Sequence, residues 1–284
     1  VQTVSMTWQH SVETAATVAA IGIAMGLSKK PRVRAAGAFA REIAMIGFLY
    51  GLWGLAGEIS GLSTNGAFAR ARWIERFEHD IFLPSEASVQ HLILGHSLVV
   101  QTANLYYATM HFTMMFVFLF WLFVWHRERY KPVRSVMALT TLFCLIVQFL
   151  PIAPPRMLPG IIDTAKLYHQ SVYEHGYALD QLSAMPSVHV AWAVLVGFYT
   201  WRIGISRWRY LGPAHAAITV FVVVATGNHW WLDGIVAVIL LIMTAWLVAG
   251  LRTAWHSVRA HLDAQSIASP SSSTERSRAS VVEH

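Results

Sequence analysis

Apolar residues gather in seven stretches, near 11–27, 42–62, 104–125, 135–152, 187–202, 213–227 and 230–250, with polar connections between them. A helix needs about 20 apolar residues to cross hydrocarbon, with a range of about 17–25. The pattern therefore predicts an all-α fold, a polytopic integral-membrane helical bundle. Six of the runs fall within 37–262 and form its core; the first run adds an N-terminal helix. The runs at 187–202 and 213–227 are short for a span and are expected to extend into their neighbours or to tilt. The first run is followed, not preceded, by basic residues, the reverse of a cleaved signal peptide. Residues 1–36 are read as a retained anchor helix with a basic loop. Residues 263–284 are Ser-rich and mixed in charge, and are expected to form a disordered cytoplasmic tail.

Between the runs, residues 66–83 place Phe68, Trp73, Ile74, Phe77 and Ile81 at helical spacing among charges. That spacing predicts a helix lying along the outer leaflet. Pro84-Ser85 ends it, and Ser85 can cap the next segment. The segment 88–103 is apolar but holds His91, His96 and Gln101, and is read as a partly buried outer helix. Gly47, Gly51, Gly54, Gly57 and Gly61 lie on the second run. Small residues so spaced permit close helix approach, here read as packing inside the monomer.

Composition agrees with a membrane protein. Of 284 residues 55% are hydrophobic and only 13% are charged, against about 25% charged in soluble domains. Mean hydropathy is +0.47. The 12 tryptophans suit interfacial belts. A lone cysteine, Cys144, excludes a disulfide framework. The net charge of +6 does not point to nucleic acid, because the basic residues flank the apolar runs. They occupy alternate connections: Lys29, Lys30, Arg32 and Arg34; Arg127, Arg129, Lys131 and Arg134; Arg202, Arg207 and Arg209; Arg252. These read as cytoplasmic. The connections 63–103, 153–186 and 228–229 then face outward, with the active side extracytoplasmic, as in a bacterial cell membrane.

Two histidines sit on that outer side where apolar helices begin. One lies in Pro186-Ser187-Val188-His189, the other in Asn228-His229-Trp230-Trp231-Leu232-Asp233. Ionisable groups at the edge of hydrocarbon are costly and are usually kept for chemistry. His229 and Asp233 share one helix face at i and i+4, so the carboxylate can orient the ring and fix its tautomer. An unprotonated imidazole so held can attack phosphorus, with His189 as acid–base partner. Ser187 and the first N–H groups of its helix can reach an anion. In the Pro-rich loop 151–160, Arg156 is the cation suited to clamp phosphate through its planar fork. Asn104, Tyr107 and His111 share a face at the outer end of the third run and are candidates for a head-group pocket or, equally, for bridging neighbouring helices. No carboxylate cluster or H-E-x-x-H suggests a metal; neither metal nor cofactor is expected.

These stretches resemble the type-2 phosphatidic acid phosphatase superfamily, in particular its branch that includes inositol phosphorylceramide synthase. The superfamily pattern is K-x6-R-P, then P-S-G-H, then S-R-x5-H-x3-D. Pro155-Arg156-Met157, Pro186-Ser187-Val188-His189, and His229 with Asp233 stand for the three. The resemblance covers residues 42–250. It implies that His229 forms a phosphohistidine, Asp233 orients it, His189 protonates the leaving oxygen, and Arg156 holds non-bridging oxygens. Phe149 and Val223 stand where the family carries cations, and Val188 replaces a glycine. A phosphomonoester carries nearly two charges and a diester one, so a cradle poorer in cations favours the diester. Lys166, Arg70 or Arg72 folding over the site would restore charge.

The expected function is a membrane lipid phosphatase or phosphotransferase acting on a lipid phosphate ester at the outer leaflet, tilted towards head-group transfer. Hydrolysis of phosphatidic acid or of a polyprenyl phosphate or diphosphate is the alternative within the class. A transporter whose histidines relay protons is the alternative outside it. That role favours ionisable groups at the bilayer midplane, whereas Glu42, Glu58, His189, His229 and Asp233 lie near segment ends.

Overall fold

The computed structural model describes residues 7–62, 66–171 and 181–268. Among the described residues ten α-helices follow one another: α1 (Trp8–Gly26), α2 (Pro31–Leu62), α3 (Ala67–Asp80), α4 (Glu86–Leu94), α5 (Ser97–Trp125), α6 (Arg127–Val147), α7 (Thr164–Leu167), α8 (Val188–Ile203), α9 (Leu211–Ala225) and α10 (Trp231–Ala268). The described residues hold no strand, only a single bridge between Ile152 and Ser183. Among the described residues, five segments are long and apolar enough to cross a membrane: Pro31–Ile59, Ser97–Trp125, Arg127–Val147, Arg207–Ala225 and Trp231–Asp263. The short run at 213–227 gains length from the turn before it. α8 stays at 16 residues, and α1 is not among the five. The chain divides into two compact units, 1–242 and 243–284. The second holds the remainder of α10, with Arg252, Trp255 and Arg259 exposed. The first holds Arg156, His189, His229 and Asp233 together.

Local chemistry sets the helix starts. Thr7 caps α1, Ser85 caps α4, Asp163 caps α7 and Ser187 caps α8, each side-chain oxygen accepting an N–H three residues on. His126 alone separates α5 from α6. α2 takes α1 along its glycines: a Cβ on Gly37 would lie 2.7 Å from the Gly22 carbonyl oxygen, and one on Gly51 2.6 Å from a Val12 methyl. Gly47, Gly51 and Gly54 of the second run thus pack within the monomer, against Ala15, Val12 and Trp8 of α1.

Three expectations change. The segment 88–103 is not one outer helix: Gly95-His96 breaks it, and residues from Ser97 on are the first turns of α5. Helix α3 forms, but its buried stripe is Ala67, Ala71, Ile74 and Glu78, while Phe68, Trp73 and Phe77 are exposed. Small residues let α3 lie close to the protein, and its aromatic side faces away from it. The chain remains helical past 263, to Ala268; the rest of the expected tail lies outside the described residues.

Two apolar clusters bracket the site. One joins α3 (Ala67, Ala71, Ile74) to the Pro-rich loop (Ile152, Ala153, Leu158) and to Trp230. The other joins α4 and α5 to Val190 of α8 and Val222–Ala225 of α9. Both converge on the segments that carry the two histidines.

Candidate active site

The Pro-rich loop is stitched to its neighbours by backbone. Ile152 N–H donates to Leu182 O at 2.6 Å, and Ala184 N–H to Ile152 O at 3.3 Å. Trp230 Nε1 donates to Ala153 O at 3.0 Å. Arg156 N–H donates to Gly227 O at 2.8 Å. Gly227 has φ +69°, and a Cβ there would stand 2.9 Å from Ile161 and 3.2 Å from Arg156 Cβ. Glycine is therefore required to bring the loop against the turn before His229. The stretches 151–160, 183–189 and 227–233, far apart in sequence, are fixed together by these contacts.

His229 Nδ1 faces two acceptors, Ala184 O at 2.7 Å and Asp233 Oδ2 at 3.3 Å. Two acceptors require the proton on Nδ1, which leaves a lone pair on Nε2. That lone pair points at His189, whose Nδ1 lies 3.4 Å away. Asp233 is fully buried, and its Oδ2 also accepts Trp230 N–H at 2.8 Å. The expected His–Asp contact is present, but Asp233 shares ring orientation with a backbone carbonyl. Sequence reasoning passed over Ala184 because a carbonyl oxygen carries no residue signature.

Tyr107 stacks on His189 with ring centroids 4.5 Å apart, and His111 meets the same ring edge-on at 4.2 Å. Both line the site. Asn104 does not join them. It bridges α5 to α7 and the turn after it, donating to Thr164 O and Gln170 Oε1 and accepting from Thr164 Oγ1. Of the two readings of that helix face, Asn104 follows the bridging one. Ser187 is also placed otherwise than expected. Its hydroxyl is buried and caps α8 through Val190 N–H at 3.3 Å; Ser183, not Ser187, borders the open space beside the histidines.

Arg156 is buried, and its Nη1 donates to Asn228 Oδ1 at 2.8 Å. Its Nε lies 3.5 Å from Asp163 Oδ2. Asn228 was visible only as part of the second motif; the structure makes it the partner that aims the guanidinium. Arg70 donates to Pro151 O at 2.7 Å, which braces the loop, and Lys166 and Arg72 are exposed. None of the three borders the cavity.

That cavity has a volume of about 430 Å³. The two histidines, Arg156 and Asn228 stand at one end, and the Glu42–Arg134 ion pair at the other. Apolar side chains of α2, α5 and α6 make most of the wall between, among them Leu49, Met115, Leu119, Ala138 and Leu145. Among the described residues, no group of three or more His, Cys, Asp or Glu side chains is arranged to hold a metal ion.

The arrangement combines an oriented imidazole, a second imidazole within proton-transfer reach, a guanidinium, and a hydrocarbon-lined space, in a bundle whose longer helices are able to cross a membrane. It defines an integral-membrane protein equipped for nucleophilic chemistry on an amphipathic substrate. The model of the PAP2 superfamily matches residues 72–247, and the chain belongs to that superfamily. It is thus a member of a metal-independent phosphatase and phosphotransferase family. Comparison with curated proteins and with solved structures finds no match.

Proposed function

We propose that the protein transfers the phosphoryl-linked head group of a lipid phosphodiester at the outer leaflet, through a phosphohistidine on His229. His229 Nε2 attacks phosphorus, the bond to the leaving lipid oxygen breaks, and His189 delivers a proton to that oxygen. A hydroxyl acceptor then attacks the phosphohistidine and gives its proton to His189 as the phosphorus–nitrogen bond breaks. Arg156 holds the non-bridging oxygens, Asp233 and Ala184 O keep the attacking nitrogen free of its proton, and Tyr107 with His111 flanks the head group. The observation that carries this reading is the 3.4 Å approach of His229 Nε2 and His189 Nδ1 at the end of an apolar cavity.

Charge favours the diester. Of the cations bordering the cavity, Arg156 stands at the histidine end, and Asp163 at 3.5 Å offsets part of its charge. Arg134 is tied to Glu42 at the far end. A singly charged phosphate suits such a cradle better than one carrying nearly two charges. The alternating basic connections support an extracytoplasmic placement of the histidine end.

The test is incubation of purified protein with phosphatidic acid, a polyprenyl phosphate and phosphatidylinositol, each with and without an alcohol acceptor. Head-group transfer from the diester, lost in His229→Ala, is the expected result. Fast phosphate release from the monoesters with no transfer would replace this proposal with the hydrolase reading, and turnover retained in His229→Ala would remove both.

A further inference from the structure

Three acids meet at the start of α10. Asp233 accepts Trp230 N–H at 2.8 Å and Glu78 of α3 accepts Leu232 N–H at 2.6 Å, while Glu86 of α4 is buried next to them, close enough to Trp231 for its backbone to favour the charged carboxylate. Two N–H donors at the start of the helix that follows His229 and carries Asp233 thus end on two separate carboxyl groups, with a third carboxyl buried beside them. Glu78 and Glu86 are 3% and 4% exposed. A helix N-terminus presents about half a positive charge, far too little to hold three buried anions, each costing several kcal/mol.

The two glutamates face each other closely enough for one hydrogen bond between their carboxyl groups to relieve this. A carboxyl–carboxyl hydrogen bond needs one proton between the groups. Glu78 Oε2 and Glu86 Oε1 find no other donor among the described residues, so a shared proton fills that gap. Burial and the neighbouring Glu86 push Glu78 up to about 9, and burial raises Glu86 as well. The other ionisable groups facing the pair are Asp233, with His229 behind it, and Glu75 of α3.

We propose that Glu78 and Glu86, holding one proton between them, are positioning residues that fix the first turn of α10 and through it the His229–Asp233 pair. The proposal rests on the reading of His229 as nucleophile, but its test does not. In the full chain in detergent micelles, ring-nitrogen NMR reports the His229 tautomer, with the signals assigned by their loss in His229→Gln. Wild type is expected to keep the Nδ1-protonated form at neutral pH and to show a step near pH 9, as ionised Glu78 adds a charge beside Glu86 and Asp233. In Glu78→Gln the neutral amide still accepts Leu232 N–H and donates to Glu86. That variant is expected to fold and to lose the step, while Glu78→Ala disturbs the tautomer at neutral pH. A step unchanged in Glu78→Gln, no step in wild type, or failure of Glu78→Gln to fold would overturn the proposal. Turnover retained in His229→Ala would instead sink the nucleophile assignment and leave the NMR result standing.

Discussion

Arg156 has its orientation fixed from three sides: backbone to Gly227, Nη1 to Asn228, and Nε towards Asp163. A planar fork so held presents its remaining donors in one direction, which a flexible ammonium does not reproduce. Removal of one such donor group from a developing phosphate charge costs about 10²–10³ in rate. Arg156→Ala is expected to lower kcat/KM by that amount, and Arg156→Lys to recover only part, in kinetics on a diester lipid. Equal rates for the two variants would show that charge alone matters there. His189, His229, Asp233 and Arg156 were legible in sequence because ionisable residues stand out against apolar runs. Ala184 and the placement of Ser187 were not. The first acts through its backbone, and the second depends on whether a hydroxyl turns to the helix start or to the cavity, which composition does not encode.

Among the elements, the spans were legible and the faces were not. Apolar periodicity marks what avoids water, but in a bilayer both lipid and protein satisfy it. Hence α3 was foreseen as amphipathic, while its buried stripe of Ala67, Ala71, Ile74 and Glu78 was not. The same ambiguity hid the break at Gly95-His96 inside a continuous apolar stretch. Small residues are the better guide to contact, and the α1–α2 pair shows it. Gly22 and Gly37 touch through backbone, and Arg41 donates to Gly22 O at 2.7 Å. Gly37→Leu forces a side chain into a space that holds only backbone, and overpacking of this kind costs about 1–3 kcal/mol. It is expected to lower the melting temperature in detergent and to expose α1 to protease. A melt identical to wild type would mean that α1 is held elsewhere.

At the scale of the molecule, the cavity sets what substrate can be accommodated. Its α6 wall runs from Gln148 beside the histidines to Arg134 at the ion pair, a rise of about 21 Å at about 1.5 Å per residue. One leaflet supplies about 15 Å, half of a hydrocarbon core about 30 Å thick. A chain filling this space from the histidine end would therefore pass the bilayer midplane. Moving a lipid tail from bilayer to protein exchanges one apolar setting for another, so little hydrophobic energy is gained. Discrimination between chains must come from fit, and the Glu42–Arg134 pair puts charge in the far part of the apolar wall. Ala138 lines the wall one helical turn from Arg134. Ala138→Trp should shorten the cavity without touching the histidines, and a mismatch in an apolar pocket is worth about 10–200-fold. Turnover of long-chain substrates is expected to fall within that range while short-chain analogues keep their kcat, as read from a chain-length series at fixed detergent. If all chain lengths fell together, the indole would be acting on the bundle as a whole, and the cavity would not measure the tail.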